Sequence, residues 1–208
     1  VKIFGFRSGS DDGVRTGYRQ HNIQLVAVGD NGDVDFLVYG YMNRGNHEGE
    51  VGVVFYRYEA EDNATRELFY VPTRKSYQFL KEDMGTLSYV NSAQQLYLLL
   101  DHSIYAIDLA GNEFMVIAQG LPDEGYVISE SSKMLAWQEG SDVYHSKVLN
   151  LMNLDTGHRA QITAEDGELL RALGFVDEDF IYGTAREEDV VRDSGRVVTY
   201  PMYALDIV

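Results

Sequence analysis

The feature that most constrains this chain is residues 148–163, Val-Leu-Asn-Leu-Met-Asn-Leu-Asp-Thr-Gly-His-Arg-Ala-Gln-Ile-Thr. It reads as one strand, a tight turn and a second strand that comes back beside the first. Weaker copies of its first half recur at residues 54–63, 103–112 and 202–206. The acidic residues that end the strand in each copy are Glu59, Asp108, Asp155 and Asp206, separated by subtraction by 49, 47 and 51 residues. A repeat of that length holds about four strands, so it predicts a series of small antiparallel sheets. A second match is independent of those anchors: Phe36-Leu-Val-Tyr-Gly40 resembles Phe180-Ile-Tyr-Gly183.

Within the organising stretch, apolar residues fall on both faces of the first strand (Leu149 and Leu151 against Met152 and Leu154), the pattern of a strand covered on both sides. Asp155-Thr156-Gly157 supplies the turn. An Asp side chain can accept from backbone N–H groups two residues on, and Gly takes a positive φ without a Cβ penalty. His158, Ala160 and Ile162 alternate with polar residues, as on a half-exposed edge strand. The run Leu154-Asp-Thr-Gly-x-x-x-x-Ile-Thr163 is similar to the repeat core of TolB-like propellers of the PD40 type, relatives of WD40 repeats. The Ser-Pro-Asp-Gly turn of those repeats is replaced here by Glu130-Ser-Ser-Lys133 and Asn91-Ser-Ala-Gln94.

The expected fold is therefore all-β, a β-propeller-type array of four-stranded antiparallel blades, with a β-sandwich as the alternative. About three and a half blades fit in the chain, with approximate units at 21–74, 85–121, 125–165 and 168–208. The expectation is a single propeller-like domain excised from a larger protein. Residues 1–6 read as a short strand that could supply the missing outer strand of the fourth unit, and Arg7-Ser-Gly-Ser-Asp-Asp-Gly13 as a polar linker. Strands at 22–29 and 34–42 flank Asp30-Asn-Gly-Asp33, a strong hairpin signal. Residues 74–84 are read as either a helical turn or a connector. Strands at 85–90 and 197–206 begin the second unit and end the fourth.

Charge and composition exclude several classes. A formal charge of −16 on 208 residues disfavours a nucleic-acid partner, because phosphate contacts need Lys and Arg. The absence of Cys removes disulfides, thiolate metal sites and Cys nucleophiles. No apolar run is long enough for this segment to insert into a membrane.

Three long polar loops, 43–50, 139–147 and 185–196, join second to third strands and would emerge on one face of a propeller. They carry His47, Glu48, Glu50, Glu139, Asp142, His145, Glu187, Glu188, Asp189 and Asp193, the candidate binding residues. Such residues can meet a hard cation or a cationic partner. No spacing matches a metal loop, and in Asp30-Asn-Gly-Asp-Val-Asp35 the Gly stands third rather than sixth. No metal and no cofactor is expected, and no Gly-x-Ser-x-Gly or other nucleophile motif is present. Trp137, Tyr39, Tyr97 and Tyr182 recur on second strands, as packing aromatics or as a rim for a glycan or peptide.

The resemblance implies a non-catalytic platform that binds a protein or a cell-envelope polymer, in an extracytoplasmic bacterial setting, lipoprotein-anchored in the parent. It also implies a rival, the substrate-gating propeller of a serine peptidase whose catalytic residues lie outside this chain. A third reading, from the loop carboxylates alone, is a carbohydrate-active enzyme. Open sheet edges would allow a homodimer.

Overall fold

A computed structural model describes residues 1–6, 20–111 and 113–208. The fold is all-β, and its strands are antiparallel. The first sheet, in the order β1-β2-β3-β4, comprises β1 (His21–Val28), β2 (Val34–Tyr41), β3 (Val51–Glu59) and β4 (Ala64–Pro72). After the helix α1 (Tyr77–Thr86) the second sheet runs β5 (Ser88–Val90), β6 (Gln95–Leu100), β7 (Ser103–Asp108) and β8 (Glu113–Ala118). The third contains β9 (Tyr126–Ile128), β10 (Met134–Gln138), β11 (Val148–Asn153) and β12 (Arg159–Thr163), and the fourth contains three strands, β13 (Glu168–Val176), β14 (Asp179–Arg186) and β17 (Met202–Ile207). A two-stranded hairpin of β15 (Val191–Asp193) and β16 (Arg196–Thr199) is inserted between β14 and β17. The chain forms two compact units: Val1–Val90 with Gln94–Asp101 and Ala106–Met115, and Asn91–Ala93 with His102–Tyr105 and Val116–Val208.

In the first unit the core lies on β2 and β3, where Leu37, Val38, Val53, Val54 and Phe55 are fully buried. The hairpin at residues 30–33 forms as expected: Gly29 N–H donates to Asp33 O and Gly32 N–H to Gly29 O, both at 2.9 Å. Residues 74–84 resolve in favour of a helix. It buries Leu80 and Met84, an i, i+4 pair on one face, and it extends to Thr86, so β5 starts only at Ser88.

Residues 1–6 form no strand, contrary to expectation. Phe4 lies 5.6 Å from Phe36 and 5.1 Å from Tyr56 between ring centroids, and Phe6 stacks on His21. The backbone of this segment is met by side chains, Ile3 O by the Thr65 hydroxyl at 2.8 Å and Gly5 O by the Arg44 guanidinium. With its aromatics on the first sheet and its carbonyls taken by side chains, it serves as a cover and makes no ladder. The predicted linker at residues 7–13 lies outside the described residues.

In the second unit β11 is central, paired on one side with β10 and on the other with β12. Leu149 and Met152, on opposite faces, are both buried. The turn that follows has Gly157 at φ +73°, as its residue type requires. Its cap differs from expectation. Asn153 Oδ1 accepts from Thr156 N–H at 2.9 Å, whereas the Asp155 carboxylate lies 3.4 Å from Lys133 Nζ. Asn is as good an acceptor as Asp for this role, and its place at the end of β11 sets the geometry.

The expected strand 197–206 is two strands. Pro201 lacks the N–H that a ladder needs, and the chain breaks at Tyr200-Pro201 between β16 and β17. The preceding stretch, expected as an irregular loop, contains a 3-10 turn (Glu187–Asp189) and the β15–β16 hairpin. Ser194 and Gly195 both have positive φ, +49° and +81°. Two such residues between paired strands make the tight turn that matches strand twist.

Gly157→Val forces a β-branched residue into positive φ and should cost about 1–2 kcal/mol. Asn153→Ala removes the cap and should cost about 1 kcal/mol, more than Asp155→Ala. Thermal or urea denaturation of the three variants checks the ranking; equal stability of native chain and Gly157→Val would refute the turn.

Candidate functional site

The three long loops divide between the units. Loop 43–50 belongs to the first unit and folds back on itself, with Gly49 N–H donating to Met42 O at 2.8 Å and Met42 N–H to Glu50 O at 2.9 Å. His47 is half-buried, its ring stacked 3.6 Å from that of Tyr70. Its Nε2 lies 2.7 Å from Glu67 Oε1 on β4, and its Nδ1 lies 3.4 Å from Glu50 Oε2. Glu67 also hydrogen-bonds Tyr56; burial first, and that carboxylate second, push the Tyr56 hydroxyl up to about 12. Beside this group is a cleft of about 500 Å³, lined among others by Lys2, Phe4, Arg44, Tyr56, Thr65 and Glu67. Glu48 is exposed.

Loops 139–147 and 185–196 meet in the second unit. Arg192 Nη2 on β15 donates to Asp142 Oδ2 at 2.7 Å, and Lys147 Nζ lies 3.1 Å from Glu187 Oε2. His145 Nε2 approaches the same carboxylate at 3.9 Å. Desolvation raises the Asp142 carboxyl, but the Tyr144 N–H and Arg192 outweigh it and hold the group below the usual carboxylate range. Lys147 holds Glu187 low in the same sense. Glu139 accepts from Asn150 Nδ2 at 3.0 Å and so faces the surface of β11. Glu188, Asp189 and Asp193 are exposed on the 3-10 turn and the hairpin.

Residues that the sequence did not single out hold these loops in place. Gln138, at the end of β10, is 1% exposed. Its Nε2 donates to Val143 O at 2.8 Å inside the loop, and its Oε1 accepts from Ala172 N–H of β13 at 3.1 Å. Ser146 is fully buried and its hydroxyl donates to Val148 O at 2.9 Å. Arg171 on β13 pairs with Glu124 and lies over the Tyr144 ring, with Cζ 4.3 Å from the centroid. A polar residue at the end of an apolar strand was the available signal for Gln138. Of the recurrent aromatics, Tyr39, Tyr97 and Trp137 are buried on β2, β6 and β10 at 3%, 3% and 8% exposure, and they serve the core rather than a rim.

Among the described residues no group of three or more His, Asp or Glu side chains is placed to hold a metal ion. No helix among them is long and apolar enough to cross a membrane.

No family model matches the chain. No curated protein matches it. Among solved structures, TolB from Acinetobacter baumannii is similar at a TM-score of 0.27 and 13% identity, over 86% of this chain and 57% of that one. The chain thus spans a little over half the length of that protein.

The lowered carboxyls give a pH prediction. A group whose folded pKa is depressed adds stability above its unfolded value, near 4, and loses it as pH falls through the folded value. The double variant Asp142→Asn, Glu187→Gln should therefore melt below the native chain at pH 7, by a small margin because both side chains are more than a third exposed. The gap should narrow as pH falls below the unfolded value and through the folded ones. A gap that does not narrow on acidification would show that the ion pairs do not fasten the loops. Gln138→Leu, which strands a carbonyl and an N–H, should cost about 1–3 kcal/mol in denaturant unfolding.

Proposed function

We propose that the chain is a non-catalytic recognition domain that binds a protein or a cell-envelope polymer through the loop face of its second unit. The observation that carries this reading is the fastening of loops 139–147 and 185–196 by Asp142–Arg192 and Lys147–Glu187. Loops tied to each other, and through Gln138 to a buried strand, form a surface set before a ligand arrives, which lowers the ordering cost of binding. In this reading the four sheets are blades of a TolB-like propeller-type array, and the parent protein works outside the cytoplasm at the envelope.

The charges support binding over catalysis. A glycosidase of the usual kind needs one carboxyl raised enough to act as an acid. Asp142 and Glu187 are shifted the other way, by groups that keep them ionised.

Biolayer interferometry of the immobilised chain against purified cell-wall polymers and solubilised envelope proteins tests the proposal. Binding to one of these should weaken about tenfold or more in a Glu188→Lys, Asp189→Lys, Asp193→Lys variant whose melting temperature is unchanged. No binding, or binding indifferent to the triple reversal, would sink the assignment of this face.

A further inference from the structure

Residues 1–6 cover part of the first sheet, and Phe4 and Phe6 are held there by different chemistry. The hold on Phe4 is insensitive to acid. Its ring packs on Phe36 and Tyr56, Arg44 lies over it with Cζ 5.5 Å from the centroid, and the Thr65 hydroxyl donates to the neighbouring Ile3 O. Phe6 rests on one imidazole. The His21 ring stacks on it with centroids 3.4 Å apart and planes 23° from parallel. His21 Nδ1 is buried and has no hydrogen-bond partner among the described residues.

A neutral imidazole protonated on Nε2 tolerates that place, since Nδ1 then carries only an unused lone pair. Protonation puts an N–H there with no acceptor, in a site where burial already disfavours charge. Burial alone pulls the His21 pKa below the ordinary histidine range. The charges that face the stack oppose an imidazolium as well. On the covering segment the Lys2 side chain lies against Gly5, and from loop 43–50 Arg44 donates to Gly5 O. On β2 the ladder partner of His21 is Gly40, between Tyr39 and Tyr41, and the chain neighbours Gln20 and Asn22 are uncharged. No carboxylate among these residues is placed to stabilise a charged ring. Gly5 and Arg44 both line the cleft of about 500 Å³ in the first unit, so a movement of Phe6 reaches its wall.

We propose that Phe6 and His21 form an acid-released clasp, in which neutral His21 holds the Phe6 end of the covering segment down and protonated His21 lets it go. Phe4 stays seated while Phe6 lifts. Gly5 then leaves Arg44, and the guanidinium is freed at the wall of the cleft. The sign follows from linkage. A histidine whose pKa is lowered in the closed form favours closure above its ordinary value, and that contribution is lost as pH falls through the lowered one. His47, the other imidazole beside this cleft, acts in the opposite sense, because protonation there strengthens its contacts with Glu67 and Glu50. The clasp belongs to the first unit and does not depend on the recognition face of the second.

Two-dimensional NMR of the whole chain across a pH series is the test, with the His21 signals assigned by their absence in His21→Phe. Between about pH 7.5 and about pH 5 the Phe6–His21 ring cross-peaks should be lost as His21 titrates, while those between Phe4 and Phe36 persist. Linkage requires the reverse effect too: Phe6→Ala, which removes the cover, should raise the His21 midpoint toward the ordinary histidine value. His21→Phe keeps a stacked pair without the titrating group, so its contacts to Phe6 should hold over the same range; this variant decides the matter if Phe6→Ala folds poorly. Phe6–His21 cross-peaks that survive His21 protonation, or strengthen through attraction of the imidazolium to the ring, overturn the clasp. So does a His21 midpoint that Phe6→Ala leaves unchanged, and so does loss of the Phe6 contacts in His21→Phe at the same pH.

Discussion

One interior strand in each of the first three sheets is dry on both faces along most of its length, and much of the structure answers to that. From Asp35 to Gly40 on β2, from Leu96 to Leu100 on β6 and from Leu135 to Gln138 on β10, every residue is buried. Such a strand satisfies its backbone through its two ladder neighbours, and its side chains must be apolar or paired. Two polar side chains intrude, and each finds partners. Asp35 takes a two-pronged contact from Arg57 on β3, with Nε–Oδ1 at 2.7 Å and Nη2–Oδ2 at 2.8 Å. Gln138 is met by a carbonyl and an N–H. Removing either partner would strand a buried polar group away from water, which is why these positions cannot drift independently.

That constraint connects the core to the surface. Gln138 ends a buried strand, and its amide reaches both the loop that follows and the next sheet. Ser146 closes the same loop just before β11 begins. The loop is thus held at both ends by residues with almost no exposure, while its middle carries Asp142 and Tyr144 outward to Arg192 and Arg171. Rigid strands with chemically varied loops are a common basis for binding, and here the rigidity is traceable to named hydrogen bonds.

The period of about fifty residues, the Asn31-Gly32 hairpin and the Gly157 turn were legible in the sequence because each depends on local backbone chemistry or on the alternation of faces. What was not legible depends on side chains meeting across distance. Nothing local marks Asn153 rather than Asp155 as the cap; that follows from where β11 stops. The β15–β16 hairpin had a signal, Ser194-Gly195 between Val191 and the Val197-Val198 pair, but its many charges read as a loop. Residues 1–6 alternate like a strand, yet the aromatics of the first sheet claim Phe4 and Phe6. The candidate residues included the acids of the loops and missed their partners, since Glu67 and Arg171 join loops to strands, and Lys147 and Arg192 join one loop to the other, at separations that no repeat predicts.

Electrostatics ties the core and the loops together. With 33 acidic side chains and 17 Lys and Arg, a cation has its choice of carboxylates. Arg57, Lys147, Arg171 and Arg192 all stand in ion pairs, and three of these four serve the loop face or its support. The scarce cations are thus placed where backbone segments must be held together, and the surplus acids, such as Glu188 and Asp189, face solvent. A field of that sign repels anionic polymers over about a Debye length, roughly 8–10 Å at physiological salt. Contacts made with a partner by the exposed acids should therefore weaken as salt is added, whereas the buried, hydrogen-bonded Asp35–Arg57 pair and the Gln138 amide are screened much less.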